Sequence, residues 1–537
     1  MAPQNVSTQP TAAPVMQMTV QPSIDDAQSQ KQGIRGKFEA MRLRGGGAGK
    51  DCFLGAIGCF LCCECFEGCC ECIADIVSDR NRGVYKSSTV PAFLYVSITM
   101  SHPVAEFTSP STWSFVEDKL SPFAKDTLAK VVDFVQNECL PAEKIYLAQI
   151  PTDPKLRWTT TPPIIEELKA KAKARGLWNL FLSKAHYPDV GVPLTNVEYA
   201  IMAEIMGRTG HLASEAMNCS APDTGNMEVF ARYGTPEQKK KWLVPLMNGE
   251  IRSAFSMTER GIASSDATNI RTSIRLEGNE IVINGHKWWI SGAGDHRTRV
   301  HLVMGKSDPT NSSPYQQQSI VIVPADAPGV RVVRPMQVFG YDDAPEGHCE
   351  VIYENVRVPA SNIIAGWGRG FEVIQGRLGP GRIHHCMRSI GIAQRALDMM
   401  LERVTDERKK PFGKLLAEHG TVVAEIAKSR AEIEGARLLV LSAAHQAIKA
   451  KGALKEIGIA KFVVPSMALQ VVDRAMQVHG AEGICQDTPL AKFWAGLRTL
   501  RFADGPDEVA IVIFITLTLE TLMHAAITGP HATNWST

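Results

Sequence analysis

Between residues 100 and 250, apolar side chains recur every three to four positions, the period of a helix with one buried face. The stretch "SPSTWSFVEDKLSPFAKDTLAKVVDFVQNECLPAEKIY" carries Leu, Val and Phe at that spacing, has Ser and Asp caps, and is expected to close at Pro141. "PPIIEELKAKAKARGLWNLFL" starts on prolines and reaches Gly176, a C-cap signal. "TPEQKKKWLVPLMNGEIRSAF" predicts another helix, with Thr235 as N-cap and Pro236 in the first helical position. Between about 253 and 358 the period falls to two. "SIRLEGNEIVINGHKWWIS" alternates around two tight-turn signals, Gly278-Asn279 and Asn284-Gly285, and "SIVIVPADAPGVRVVRP" and "HCEVIYENVRVP" continue as short strands. Long helical segments return after 367, in "MRSIGIAQRALDMMLERVTDERKK", "TVVAEIAKSRAEIEGARLLVLSAAHQAIKAK" and "ALKEIGIAKFVVPSMALQVVDRAMQVHG". The pattern predicts a multidomain α+β chain: an N-terminal helical domain (100–250), a middle antiparallel β domain (251–366) and a C-terminal helical bundle (367–525). One run departs from it. "AIVIFITLTLETLM" (510–523) is rich in β-branched residues, poor material for a helix, and its 14 residues are too few to span a bilayer.

The two ends read differently. Residues 1–51 are rich in Gln, Ser, Pro and Gly and cannot bury enough apolar surface to order themselves. "GGGAGKD" lacks the glycine spacing and the preceding strand of a phosphate loop. Residues 52–99 form a cysteine-rich extension and linker, and 526–537 a short tail. Eight of the 13 cysteines fall between Cys52 and Cys72. Their Cys-x2-Cys spacings admit a zinc reading, but the segment is too short and apolar to place a normal second half-site. Glu64, Glu67 and Glu71 disfavour a membrane span. Attachment to a membrane surface through this segment is the leading reading, a segment without function is the other that stays open, and no metal site is assigned.

The net charge of +1 gives no general reason to bind nucleic acid or an acidic surface. The scattered Cys139, Cys219, Cys349, Cys386 and Cys485 read as the buried thiols of an intracellular protein. The first 50 residues lack the apolar core of a signal peptide, and "NWST" is not a peroxisomal address. No Gly-x-Gly-x-x-Gly follows a strand, so a Rossmann nucleotide site is not expected. One acidic cluster stands out. "RFADGPDEV" (501–509) crowds Asp504, Asp507 and Glu508 around a Gly-Pro turn, a composition that by itself suits a helix N-terminus.

Five ordered segments give that cluster a context: "MTERGIASSDATNIRT" (257–272), "NGHKWWISGAG" (284–294), "RKKPFGKLLAEHG" (408–420), "MQVHGAEGICQDTPLAKFW" (476–494) and "RFADGPDEV". In order and spacing they resemble the acyl-CoA dehydrogenase family across about 105–525. The resemblance implies that family's three-domain fold. It implies an FAD enzyme that removes hydrogens from the α and β carbons of an acyl-CoA, with electron-transfer flavoprotein or oxygen as acceptor and a homodimeric or homotetrameric assembly. Asp504 lies where most members have a glutamate base, one methylene longer, and Arg382 matches an arginine near that base. Met257, Thr258, Trp289 and Ser291 match the segments around the flavin ring, and Ser265 a serine on the substrate side. Gln477 and Gly480 match a segment that reaches the cofactor from a neighbouring subunit, with Phe412 beside it. Lys409 stands where a cross-subunit arginine is usual, and Arg260 where proline is common. Glu508 falls at a cofactor-contacting position, and Asp507 starts the following helix. His384 and His385 read as packing or surface residues, and Trp288 as packing. Two other outcomes stay open: a nitroalkane oxidase of the same fold, and an inactive scaffold docked at a membrane.

Overall fold

The computed structural model describes residues 114–447 and 453–528, so the Cys52–Cys72 segment and its membrane or metal readings lie outside the described residues. The first helices are α1 (Pro122–Phe134), α2 (Leu140–Gln149), α3 (Pro163–Ala174), α4 (Asn196–Gly207), α5 (Leu212–Ala216), α6 (Asp223–Tyr233), α7 (Pro236–Gln238) and α8 (Val244–Asn248). Capping follows the sequence signals. The Ser121 side chain accepts from Ala124 N at the start of α1, and Thr235 and Gln238 form a reciprocal capping box at α7.

Pro141 does not end its helix. A π turn at Val135–Cys139 joins α1 to α2, and Pro141 sits in the first turn of α2. The same device recurs at Lys239–Leu243, just before Pro245 in α8. Proline lacks an N–H and crowds the carbonyl four residues back, and a widened turn accommodates both defects without breaking the rod.

Strands β1 (Arg252–Ser256), β2 (Ser273–Glu277), β3 (Glu280–Ser291), β4 (Thr298–Lys306), β5 (Gln318–Pro324), β6 (Val330–Met336), β7 (His348–Pro359) and β8 (Ile363–Ile364) form one sheet in the order β6-β7-β3-β2-β4-β5-β8. Pairing is mostly antiparallel, but β1 joins the sheet parallel to β4. Gly278-Asn279 is a two-residue hairpin turn between β2 and β3, as expected. Asn284-Gly285 is not a turn. It lies inside β3 at a register shift, where a Cβ on Gly285 would come within 2.2 Å of Thr272 Oγ1. Glycine is needed there for close approach, and its turn-like sequence is misleading. Alternation along β4 divides two cores: Val303 packs with Val321 and Val351 on one face, and Leu302 and Met304 join the helical core on the other.

The C-terminal bundle comprises α9 (Gly370–Val404), α10 (Gly420–Gln446), α11 (Leu454–His479), α12 (Ala481–Ile484), α13 (Leu490–Leu500) and α14 (Asp507–Thr528). The backbones of α4 and α9 touch at two glycines. A Cβ on Gly207 would lie 2.3 Å from Arg388 O, and one on Gly391 would lie 2.0 Å from Glu204 O. Buried Arg437 on α10 grips Glu204 on α4 with contacts of 2.7 and 2.9 Å, tying the first helical domain to the bundle. The run after Val509 is helical after all. Its cost in propensity is a few tenths of a kcal/mol per β-branched residue, and Ala510 packs against Gly458 of α11, where a Cβ would come within 3.2 Å of the Ala510 carbonyl. Among the described residues, no helix is long and apolar enough to cross a membrane.

Candidate active site

The acidic turn between α13 and α14 is held from three sides. Asp504 and Gly505 both have positive φ, 56° and 103°, a conformation that glycine adopts freely and aspartate tolerates better than most residues. Lys461 of α11 is buried and donates to the carbonyls of Leu500 (2.5 Å) and Gly505 (3.2 Å). Arg382 of α9 donates from Nε to the Asp504 carbonyl at 2.9 Å. Asp507 begins α14 and accepts from Arg501 Nε at 2.6 Å, the helix-start role expected of it.

The Asp504 side chain faces α9. His385 Nε2 lies 3.3 Å from Asp504 Oδ2, and Arg388 Nη2 lies 3.2 Å from His385 Nδ1. Burial alone would raise the Asp504 carboxyl. The His385 hydrogen bond and the charges of Arg377 and Arg382 outweigh burial and hold it well below the usual carboxylate range. Burial, helped by the nearby Arg388 charge, keeps the His385 imidazole below its ordinary value even though Asp504 pulls the other way. We take His385 as neutral, because the arginine donor at Nδ1 requires that nitrogen to be bare. Lys461 also falls below its ordinary value, chiefly through burial. Burial pushes Glu228 up to about 8 against the opposing charge of Arg377, so it adds little negative charge at neutral pH.

Arg382 therefore lies against Asp504, the residue beside which it was expected. His384 is a packing residue, with its ring 4.7 Å from Tyr199 and edge-on to it. His385 is neither packing nor surface, which corrects the sequence reading. Arg377, His385, Arg388 and Lys461 were missed as members of this cluster. The signal was present: residues 377, 381, 385 and 388 recur at helical spacing, so two charged residues, a histidine and a glycine share one face. Gly381 leaves room on that face, since a Cβ there would stand 3.6 Å from Asp504 Oδ2.

A second group gathers at the end of β1 and the bulge in β3. Trp288 N donates to Thr258 O at 3.1 Å. Buried Lys287 donates to Met257 O (2.7 Å) and Met304 O (2.7 Å) and pairs with Glu259 (2.9 Å). Trp289 has φ 55° at a register shift in β3, which turns its indole outward and leaves it 38% exposed. Ser291 Oγ lies 2.8 Å from His348 Nδ1, and the His348 ring is 5.6 Å from that of Trp289. Arg377 links the two groups, because its guanidinium stacks 4.2 Å above Phe255, two residues before Met257.

The remaining candidates lie apart from these contacts. Lys409 pairs with Glu482 at 3.7 Å, which draws the 408–412 loop to the corner that also carries Gln477 and Gly480. Phe412 is 99% exposed with φ 55°, and Gln477 and Gly480 are exposed. Ser265 and Glu508 are exposed, and no contact joins them to the Asp504 cluster among the described residues.

Three family models match the chain in succession: acyl-CoA dehydrogenase N-terminal domain (122–250), middle domain (254–356) and C-terminal domain (368–515). The "Probable acyl-CoA dehydrogenase FadE2" of Mycobacterium tuberculosis is 50% identical over 396 residues, 73% of this chain and 94% of that one. The chain belongs to the acyl-CoA dehydrogenase family. Mouse "Acyl-CoA dehydrogenase family member 10" is 54% identical over 395 residues, which are 73% of this chain but 36% of the mouse protein's length. Among solved structures, the "putative acyl-CoA dehydrogenase from Mycobacterium abscessus" superposes with a TM-score of 0.71 at 46% identity, covering 75% of this chain and 99% of that one. The family is one of oxidoreductases with FAD as cofactor. The β-domain group fits a flavin ring. It offers an outward-turned indole at a strained bulge and, in Trp288 Nε1, a buried donor with no partner among the described residues.

Proposed function

We propose that this protein is an acyl-CoA dehydrogenase of the fatty-acid β-oxidation type. Asp504 removes the α proton of an acyl-CoA, and the product is the trans-2-enoyl-CoA. The observation that carries this reading is a carboxylate on a positive-φ turn, with Arg377, Arg382, Arg388 and Lys461 around it.

As the α proton leaves, negative charge grows on the thioester oxygen, and donors fixed beforehand stabilise it without reorganisation. The Asp504 backbone N–H makes no backbone hydrogen bond among the described residues, so it is free to donate to that oxygen. Gly505 lets the substrate approach closely. Arg382 fixes the carbonyl of the same peptide segment and adds positive charge beside it. A carboxylate held this low is a weak base in an open site. An acyl chain laid over the turn removes water from it, and desolvation raises its pKa toward that of a working base. FAD, when bound, supplies the acceptor for the β hydride. Met257, Thr258, Trp289 and Ser291 hold its ring. Lys409, Phe412, Gln477, Gly480 and Glu508 attend its dinucleotide, the first four from a neighbouring subunit of a homodimer or homotetramer. Ser265 faces the substrate. Electrons leave to electron-transfer flavoprotein or to oxygen.

The test is a panel of acyl-CoAs of graded length and branching added to the FAD-loaded protein, with flavin absorbance followed. Bleaching by at least one thioester is expected. No bleaching by any thioester, together with oxygen-dependent turnover of nitroethane, would replace this reading with a nitroalkane oxidase.

A further inference from the structure

We propose that His385 is a positioning residue for the base: Arg388 fixes its neutral Nε2–H form, and that hydrogen is donated to Asp504 Oδ2. The inference rests on Asp504 being the proton acceptor. Arg388 Nη2 stands 3.2 Å from His385 Nδ1, and arginine can only donate, so Nδ1 must be bare and the ring's one hydrogen is on Nε2. That nitrogen lies 3.3 Å from Asp504 Oδ2. Both ends of the relay are anchored. The Arg388 carbonyl is pressed against Gly207 of α4, and Ser389 Oγ donates to the His385 carbonyl at 2.8 Å.

The arrangement suits an aspartate. With one methylene fewer than glutamate, its carboxylate must be aimed by its surroundings. A donor on Oδ2 fixes the plane of the carboxylate, and no donor among the described residues reaches Oδ1. Oδ1 is therefore the oxygen that takes the proton: the substrate C–H bond breaks and an O–H bond forms at Oδ1. His385 keeps its own proton throughout. The charged and titratable groups around the pair are Arg377, Arg382, His384, Cys386 and Arg388 of α9 and Lys461 of α11, with Tyr199 of α4 and Cys219 beside Arg388. None but His385 bonds to the carboxylate oxygens.

Four substitutions and one spectrum test this in the FAD-loaded full chain. His385→Ala is expected to slow α-proton exchange of a bound saturated acyl-CoA in deuterated water by about 100-fold, the scale for a misplaced reacting group. KM should change little, and the acid side of the pH profile should move to higher pH. His385→Gln places an amide donor near the position of Nε2 and should recover most of the rate. His385→Asn reaches only the position of Nδ1 and should not. Wild-type exchange in His385→Ala, or equal rescue by Gln and Asn, would overturn the proposal. Nitrogen-15 imidazole spectra of the unsubstituted protein decide the case even if a variant misfolds. A proton on Nε2 and a bare Nδ1 near neutral pH are expected, and the other tautomer or an imidazolium would contradict the relay. Asp504→Asn separates the two levels. Exchange that survives in that variant removes the base assignment itself, whereas exchange lost there but intact in His385→Ala removes only the positioning role.

Discussion

Two buried ionic clusters in this molecule follow opposite rules. One centres on Glu215 of α5, which pairs with Lys169 of α3 (3.1 Å), Arg252 of β1 and Arg297 (3.3 Å). Arg252 also pairs with Asp223 (2.7 Å), and Arg297 with Asp295 (2.7 Å) and Glu346 (3.2 Å), while Glu346 meets His211. Acids and bases interleave, and the cluster stitches the first helical domain to the sheet. His211, Glu215 and Glu346 hold ligand atoms within 4.8 Å of one another, but the lysine and two arginines already engage those carboxylates. The other cluster has four cations around Asp504 and, among the described residues, no second ionised acid bonded to them. The first cluster is closed and balanced, which serves stability. The second is cation-rich and sits on a strained turn, which suits a site where negative charge must appear during a reaction.

Substitution should separate the two. Asp504→Asn is expected to lower α-proton exchange by about 10⁴-fold, the upper range for general-base catalysis, with FAD content unchanged. Isotope incorporation per bound flavin measures it. Glu215→Ala should do the reverse. It leaves buried cations uncompensated and costs about 3–5 kcal/mol of stability, read by denaturant unfolding, while turnover per folded molecule stays close to wild type. A milder outcome follows from pH. Burial raises the Glu346 carboxyl, but the His211 charge and its other partners pull it down to about 2, so its contribution to stability is complete above the ordinary value of 4.5 and is lost as pH falls toward 2. Glu346→Gln should flatten the melting temperature across that window. Lys461→Met removes the charged donor from the Leu500 and Gly505 carbonyls and should cost about 1.5–3 kcal/mol, expressed mainly as lost turnover because the turn loosens. The smallest effect is Lys409→Arg, which gives a planar, bidentate phosphate contact and should tighten FAD a few-fold in a retention assay.

The sequence disclosed elements and motifs more readily than contacts. Ser121, Thr235 and Gly176 signalled helix ends because capping is local chemistry. Pro141 and Asn284-Gly285 misled because the answer depended on neighbours: a π turn absorbed the proline, and Thr272 required the glycine. The run 510–523 misled for the same reason, since packing on Gly458 overrides β-branched propensity. The motif singled out Asp504 and Arg382, and the structure brings the two into contact. His385 was not singled out, because its contact with Asp504 exists only once α9 and the 500–507 turn meet 119 positions apart in sequence, and no local pattern reports that meeting.

The central claim is that the Asp504 cluster stabilises negative charge on a bound thioester. Ultraviolet absorbance of a bound 3-ketoacyl-CoA tests it most directly, since that ligand ionises at its α carbon and its enolate absorbs where the neutral form does not. The cation-rich cluster predicts that the ligand binds largely as the enolate at neutral pH, and that Arg382→Met shifts it back toward the neutral form. A ligand that stays neutral in the wild-type site would contradict the account.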